Sequence, residues 1–243
     1  MLLLAFDTAT PAVTVALHDG ERALAEAVTV DARRHGELLA PSIAKVIADA
    51  GAEPGDLTAI TTGVGPGPYT GLRVGVVTAR VLGRALGVPV HGVCTLDVIA
   101  RAARPAAAGR EFLVVTDARR KEVYWARYTG SGERTAGPAV SRPADIPGAA
   151  SVPAAGQATV LYPEAFGEPI WREHPSAVVL AEMVVECFAS GREPAVAGAA
   201  SGEPALVVPA ASPAAGPLLL PEPLYLRRPD ARVPGPPKRV TPP

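Results

Sequence analysis

GVGPGPYTGLRVG, running from Gly63 to Gly75, follows an apolar run at Leu57–Ile60 that reads as a buried strand. It leads into a run at Thr70–Leu86 that reads as a helix. Strand, glycine-rich turn and helix in that order suggest a phosphate cradle. The details argue against one. A Walker loop needs a Lys before the Ser/Thr at the helix start, and Thr70 follows Tyr69. A dinucleotide loop needs a third glycine after Gly63 and Gly65, and position 68 is Pro. Pro66 and Pro68 also lack the N–H groups that a phosphate nest uses. What remains is a stiff turn that aims one helix.

At 100° per residue, Gly71, Gly75, Thr78, Ala79, Leu82 and Leu86 share one side of that helix, and Arg73, Arg80 and Arg84 form a stripe opposite. Glycines four apart let another backbone approach closely, from within the chain or across a subunit boundary. The arginine stripe suits a solvated face, or one turned to an acidic partner or RNA.

A chain of 243 residues can form one large domain or two small ones. Its 23 Lys and Arg against 24 Asp and Glu leave a net charge of −1, which argues against a free-standing protein that grips RNA through a basic excess. Cys94 and Cys187 lie far apart and match no zinc or redox spacing, as expected of buried thiols in a reducing compartment. MLLLAFD is apolar, but Asp7 ends the run and no basic region precedes it, so it reads as a strand rather than a signal peptide. No apolar run reaches the ~18–20 residues that span a membrane. A soluble, cytoplasmic protein is expected.

Leu2–Phe6, Val13–Leu17 and Leu24–Val30 read as three strands, with Asp19-Gly20 as a hairpin turn. Leu38, Leu39, Ile43, Val46, Ile47 and Ala50 then repeat at helical spacing, with Pro41 marking either a kink or the first turn. The central strand, glycine turn and helix follow, then a strand at Val88–Val93 and a short helix at Leu96–Ala103. After an alanine-rich loop at Arg104–Arg110 the pattern restarts. Phe112–Thr116 is an apolar strand ending in Asp117, as the first strand ends in Asp7, and Glu122–Tyr128 is its returning partner. Gly130–Gly156 reads as loops with short strands, and Val178–Ala189 as an amphipathic helix closed by Gly191. Beyond Ser190 the chain is rich in Pro and Ala, which predicts an extended, partly disordered tail with one docking segment, PEPLYLR at Pro221–Arg227. The expected units are 1–103, 104–190 and 191–243. Two β-β-β-α-β-α halves, each with an Asp closing its first strand, describe an α/β, duplicated ribonuclease-H-like fold of the actin/sugar-kinase/Hsp70 kind. Mixed five-stranded sheets and a reduced second half are expected.

AFDTAT (Ala5–Thr10), RHGELLAP (Arg34–Pro41), GVGPGPYTGLRVG, DARRKEVYWA (Asp117–Ala126) and PLYLR (Pro223–Arg227) stand in an order that resembles the TsaB (YeaZ) family. The resemblance covers essentially the whole chain, weakest over Gly130–Gly156 and the proline-rich tail, and five motifs in order are more specific than any one of them. Pro68 departs from the family's usual Ser. The resemblance implies a non-catalytic subunit of the bacterial machinery that makes threonylcarbamoyladenosine next to the tRNA anticodon. It implies a heterodimer with TsaD, the subunit that transfers the threonylcarbamoyl group, with the ATPase TsaE joining the pair. It also implies a homodimer when alone, and contact with tRNA only through the complex. The partner face would be the two N-terminal helices, roughly His35–Ala50 and Thr70–Leu86, with His35, Leu39, Ile43, Gly71, Leu72, Gly75, Ala79 and Leu82 on it. On that expectation Gly75→Leu abolishes partner binding and leaves the chain folded. No cofactor of its own is implied, and nucleotide at the partner interface stays open.

A TsaD-like enzyme carries a metal-binding His-x-x-x-His pair after the second helix, whereas here His91 is followed four positions on by Thr95, and His35 by Leu39. No two of the four histidines, His18, His35, His91 and His174, are three to five residues apart, which argues against a metal site. The second half has no Gly-Gly adenosine loop, Gly156-Gln157 being the nearest. Asp7, Thr8, Asp117 and Arg119 are expected to form a vestigial cleft. In it Asp7 caps its turn through the Thr8 and Thr10 amides, and Asp117 pairs with Arg119 or caps its own turn. Trp125 and Tyr124 read as core and rim of the second hairpin. His35 and Glu37, two apart, do not face each other as an acid–base pair, and Ser42 has no histidine at a triad spacing. The competing function is an enzyme on the same fold, a metallopeptidase or an ATP-dependent phosphotransferase, which would need Asp7 or Asp117 and a bound metal.

Overall fold

The computed structural model describes residues 1–171, 174–191 and 218–226. Its first half contains β1 (Leu3–Asp7), β2 (Ala12–His18), β3 (Ala23–Val30), α1 (His35–Asp49), β4 (Ala59–Gly63), α2 (Tyr69–Leu86), β5 (Val90–Val93) and α3 (Thr95–Ala107). β1 is buried along its whole length, which is why it reads as an unbroken apolar run. It pairs antiparallel with β2 and parallel with β4. The β2–β3 hairpin closes where Asp19 Oδ1 accepts the N–H groups of Glu21 and Arg22 and Gly20 takes a φ of +103°.

The second half contains β6 (Phe112–Asp117), β7 (Val123–Tyr128), β8 (Arg134–Ser141), β9 (Ala154–Ala155), α4 (Ala158–Leu161), β10 (Pro169–Trp171) and α5 (Ala177–Ala189). The tail adds β11 (Leu218–Leu219). The sheets have the orders β11-β5-β4-β1-β2-β3 and β10-β9-β6-β7-β8. Strand for strand, β1 to β5 and β6 to β10 repeat one arrangement: an antiparallel meander whose first strand is flanked by a parallel pair. This is the duplicated ribonuclease-H-like fold. The second half is reduced as expected. Where the first half has the 15-residue α1, the second has two 3₁₀ turns, Pro143–Asp145 and Ala149–Ser151. Where the first has the 18-residue α2, the second has the 4-residue α4.

Two details differ from the sequence expectation. The first sheet has six strands, because β11 adds antiparallel to the edge strand β5. α3 runs through Arg104–Ala107, with Pro105 inside it. The alanines around Pro105 favour helix, and the proline removes only one ladder bond. A unit boundary at 103 therefore cuts α3. Of the two places left open for Pro41, the structure takes the one inside α1. Of the tail, the described part of PLYLR has Leu224 buried and Tyr225 and Leu226 half-buried. Arg227 and the expected disorder of the remaining tail lie outside the described residues.

The two halves are interlocked. α1 and α2 cover one face of the first sheet, where Leu39, Ile43, Val46 and Ala79 pack on Leu4, Phe6, Val15 and Ile60. The opposite face is covered by α5 of the second half, through Leu180, Ala181 and Val184 against Leu3, Ala5 and Ala16. α3 in turn packs with Phe112, Val114, Ala126 and Tyr128 of the second sheet. A half-buried polar tie crosses the same junction. Asp97 of α3 accepts the Tyr128 hydroxyl at 2.7 Å and Arg134 Nη1 at 3.1 Å. Burial raises the Asp97 carboxyl, against the Arg134 charge and the Tyr128 hydroxyl, which lower it. Among the described residues no helix is long and apolar enough to cross a membrane.

Candidate functional site

Asp7, Thr8, His35, Gly71 and Gly75 of the expected residues meet where the β1–β2 turn, the glycine turn and the first turns of α1 and α2 converge. Asp7 ends β1 with 0% exposure. Its Oδ1 accepts the Ala9 N–H at 2.7 Å and its Oδ2 the Thr95 hydroxyl at 2.7 Å. The turn is therefore capped through Ala9 and not through the Thr8 and Thr10 amides, since an Asx turn reaches the N–H two residues on. Gly63 faces this carboxyl, and a Cβ there would lie 1.8 Å from Asp7 Oδ2. Burial raises the Asp7 carboxyl to about 6, against the Thr95 and Ala9 hydrogen bonds that lower it. With both oxygens engaged and none of the residue exposed, the carboxyl presents no open face to a metal or a phosphate.

Two donors of the glycine turn are used within the chain. The Val64 N–H goes to the Val93 carbonyl at 2.9 Å, and the Gly65 N–H to Thr95 Oγ1 at 3.2 Å. Gly67 presses on the β1–β2 turn, where a Cβ would lie 2.2 Å from the Ala9 oxygen. The turn aims α2 by packing.

How α2 sits decides the fate of its small-residue side. Thr8 Oγ1 donates to the Gly71 carbonyl at 2.7 Å and accepts the Gly75 N–H at 3.0 Å. Those are two groups that an α-helix joins to each other. A hydroxyl from β1's end thus enters the ladder of α2, which requires glycine at both positions: a Cβ on Gly71 would lie 2.7 Å from the Thr8 oxygen, and one on Gly75 2.5 Å from Thr8 Oγ1. Thr8→Val, which keeps the shape and removes the hydroxyl, is expected to cost about 1–2 kcal/mol in urea denaturation, with Thr8→Ser close to wild type.

The partner face read from the sequence is corrected by this packing. Leu72 and Ala79 are fully buried, and Leu39 and Ile43 lie in the core beneath α1. Gly71 and Gly75 close on the chain's own strand end. His35 Nε2 lies 2.7 Å from the Thr10 oxygen, tying α1 to the β1–β2 turn. Leu82 is half-buried beside the same core. A helix lying on a sheet turns its smallest side chains inward for close approach, so the small-residue side is used within the chain. Outward instead point Val77, 48% exposed, and Val81, 61% exposed, beside the exposed Arg73, Arg80 and Arg84.

Asp117 both caps and pairs: its Oδ1 accepts the Arg119 N–H at 2.8 Å, and its Oδ2 lies 3.5 Å from the Arg119 guanidinium. A cavity of ≈ 260 Å³ opens at the helix starts, with Thr8, Thr10, Arg33, His35, Thr70 and Arg119 in its lining. It takes in Thr8 and Arg119 of the expected cleft and leaves Asp7 and Asp117 outside.

A family model described as TsaD, tRNA N6-adenosine threonylcarbamoyltransferase, matches residues 24–233. An uncharacterised protein of Mycobacterium tuberculosis is 44% identical over 238 residues, 95% of this chain and 93% of its own length. The tRNA threonylcarbamoyladenosine biosynthesis protein TsaB of Escherichia coli is 36% identical over 135 residues, 53% of this chain and 55% of that one. YeaZ from Pseudomonas aeruginosa has a TM-score of 0.66 at 32% identity, over 78% of this chain and 93% of that one. The chain belongs to the TsaB (YeaZ) family. In this TsaB-family chain Thr95, four residues after His91, is a tie between Asp7 and the glycine turn. His91 itself is buried with its ring 5.1 Å from that of Phe188, and burial lowers its pKa. Among the described residues no three His, Cys, Asp or Glu side chains come together as a metal site would need.

Thr95 escaped the sequence reading because it is the partner of a residue 88 positions away. Its one local signal is its place as the first residue of α3, two residues past the end of β5. Arg134, whose charge sits on Asp97, begins β8 in a stretch read as loops with short strands and carries no local signal of that contact.

Proposed function

We propose that this chain is an accessory subunit in tRNA threonylcarbamoyladenosine biosynthesis. It pairs with a TsaD-type transferase through the outward side of α1 and α2 and performs no chemistry of its own. Support for the pathway comes from relatives of Escherichia coli and Bacillus subtilis named for it, 36% and 34% identical over about half of either chain. The observation that carries the accessory role is Asp7. An active member of this fold needs the carboxylate at the end of its first strand to face a ligand, and here that carboxyl is enclosed by Ala9, Gly63 and Thr95. Val77 and Val81, two exposed valines one turn apart, suit the outward side to a protein partner. TsaE and tRNA are then met through the complex, any nucleotide is held at the partner boundary, and a second copy takes the same face when the chain is alone.

The test mixes the chain with its organism's TsaD, reading size by light scattering and threonylcarbamoyl transfer to tRNA. A one-to-one complex that restores transfer is expected. Val77→Asp/Val81→Asp should fold normally and bind roughly 100-fold more weakly, because two buried charges would cost about 3 kcal/mol at the interface. Unchanged binding by that variant, or full transfer by TsaD without this chain, overturns the proposal.

A further inference from the structure

The tail returns to the first sheet at Leu218. β11 pairs with β5 in the register Leu218↔Val93 and Leu219↔Gly92. Gly92 lets the added strand lie close, since a Cβ there would meet the Leu220 oxygen at 2.5 Å. The chain then crosses the glycine turn. Leu224 donates its N–H to the Val64 carbonyl at 2.8 Å and buries its side chain with Val64, Leu72 and Val76. Beside it Tyr225 stacks on Tyr69, with ring centroids 5.1 Å apart and planes at 26°. Arg73, one turn further along α2, lies 5.1 Å from the Tyr69 ring centroid and also reaches the Tyr69 hydroxyl.

Tyr69 is the first residue of α2, and the residue before it, Pro68, makes no side-chain capping bond. The start of this long helix therefore lacks the usual local stop. The tail reaches this first turn through the Tyr225 ring on Tyr69. Within the strap, the tasks are divided. Backbone pairing with β5 and the buried Leu218 seat it on the sheet, Leu224 is buried with Leu72 and Val76 of the helix, and Tyr225, half-buried, stacks on the helix's first residue.

We propose that residues 218–226 are a latch on α2 and that Tyr225 is a positioning residue. Its stack on Tyr69 holds the first turn of α2 in place and so sets the direction of the outward face carrying Val77 and Val81. The proposal rests on the partner face put forward above. A pre-set helix direction lowers the ordering cost of association, so loss of the stack weakens binding.

The test uses the full chain with Tyr225→Ala and Tyr225→Phe, alongside Val77→Asp/Val81→Asp. The readouts are TsaD affinity, amide hydrogen exchange of residues 69–76, and the melting temperature. Tyr225→Ala is expected to weaken TsaD binding about tenfold and to speed exchange at residues 69–76, with Leu218 and Leu224 keeping the strap seated and the fold intact. Tyr225→Phe keeps the ring stack and is expected to match wild type in both. Wild-type affinity in Tyr225→Ala, while Val77→Asp/Val81→Asp loses binding, overturns the latch and leaves the partner face standing. If the valine variant also binds like wild type, the partner face is what fails. Exchange then decides the latch alone: unchanged protection of residues 69–76 in Tyr225→Ala overturns it.

Discussion

Gly75→Leu is expected to cost about 3–5 kcal/mol, with overpacking at the upper end of its range, and to lower the folded fraction markedly at 37 °C. A Cβ alone at this position would lie 2.5 Å from Thr8 Oγ1 and 3.3 Å from Thr62 Oγ1. Thr8 cannot swing away cheaply, because its hydroxyl is bonded to both Gly71 and Gly75 of the same helix. Overpacking a core by a few carbons costs about 1–3 kcal/mol, and leucine adds four carbons where one does not fit. Breaking the Thr8 bonds adds about 1–3 kcal/mol more. The gain from replacing a helical glycine, about 1 kcal/mol, offsets only part of this. Urea denaturation followed by circular dichroism reads the loss. The mechanism has its own check: Gly75→Ala should be markedly less costly in a Thr8→Ala background than in wild type, because removing the hydroxyl opens the space. Wild-type stability in Gly75→Leu would mean that α2 does not press on the end of β1. The same substitution, read from the sequence as a clean block on partner binding, is thus a test of the core.

The second large effect is a pH dependence traced to Asp7. Its carboxyl ionises at about 6 in the folded chain against a reference of 3.8, because burial disfavours the charge. The folded state then holds the proton more tightly than the unfolded state. The stabilisation is complete below about pH 4 and is lost as the pH rises through 6, on the order of 3 kcal/mol in all. Wild type should therefore lose this amount between pH 4 and 7.5, relative to Asp7→Asn, which cannot ionise there. Urea midpoints of the two proteins across that range give the difference directly, since other titrating groups are common to both. Parallel curves would show that the carboxyl is not enclosed as described, and would reopen Asp7 as a ligand for phosphate or metal.

Much of this fold is local and was legible as such. β1, β2 and β6 are covered on both faces, and a strand covered on both faces must be an apolar run. The aspartates that close β1 and β6 mark the duplication, and the ordered motifs from AFDTAT to PLYLR point to the family that the comparisons then establish. The start and end of α2 follow from the prolines before it and Gly87 after it. Periodicity also placed Gly71, Gly75 and Ala79 on one side of α2, but periodicity assigns a side and not what lies against it. The close approach those residues permit is taken by Thr8 and β4 of the same chain.

The sixth strand, the Thr95 tie on Asp7, the Arg134 charge on Asp97 and the Tyr225 stack on Tyr69 share one property. Each joins residues far apart in the chain through a few atoms, and no spacing or composition within either segment records the other. By itself the sequence determined the elements, their repetition and the family, because hydrophobic period, turn chemistry and motif order are properties of neighbouring residues. Only the tertiary structure decided which faces remain free and which carboxyl is enclosed, because burial depends on what the rest of the chain brings alongside.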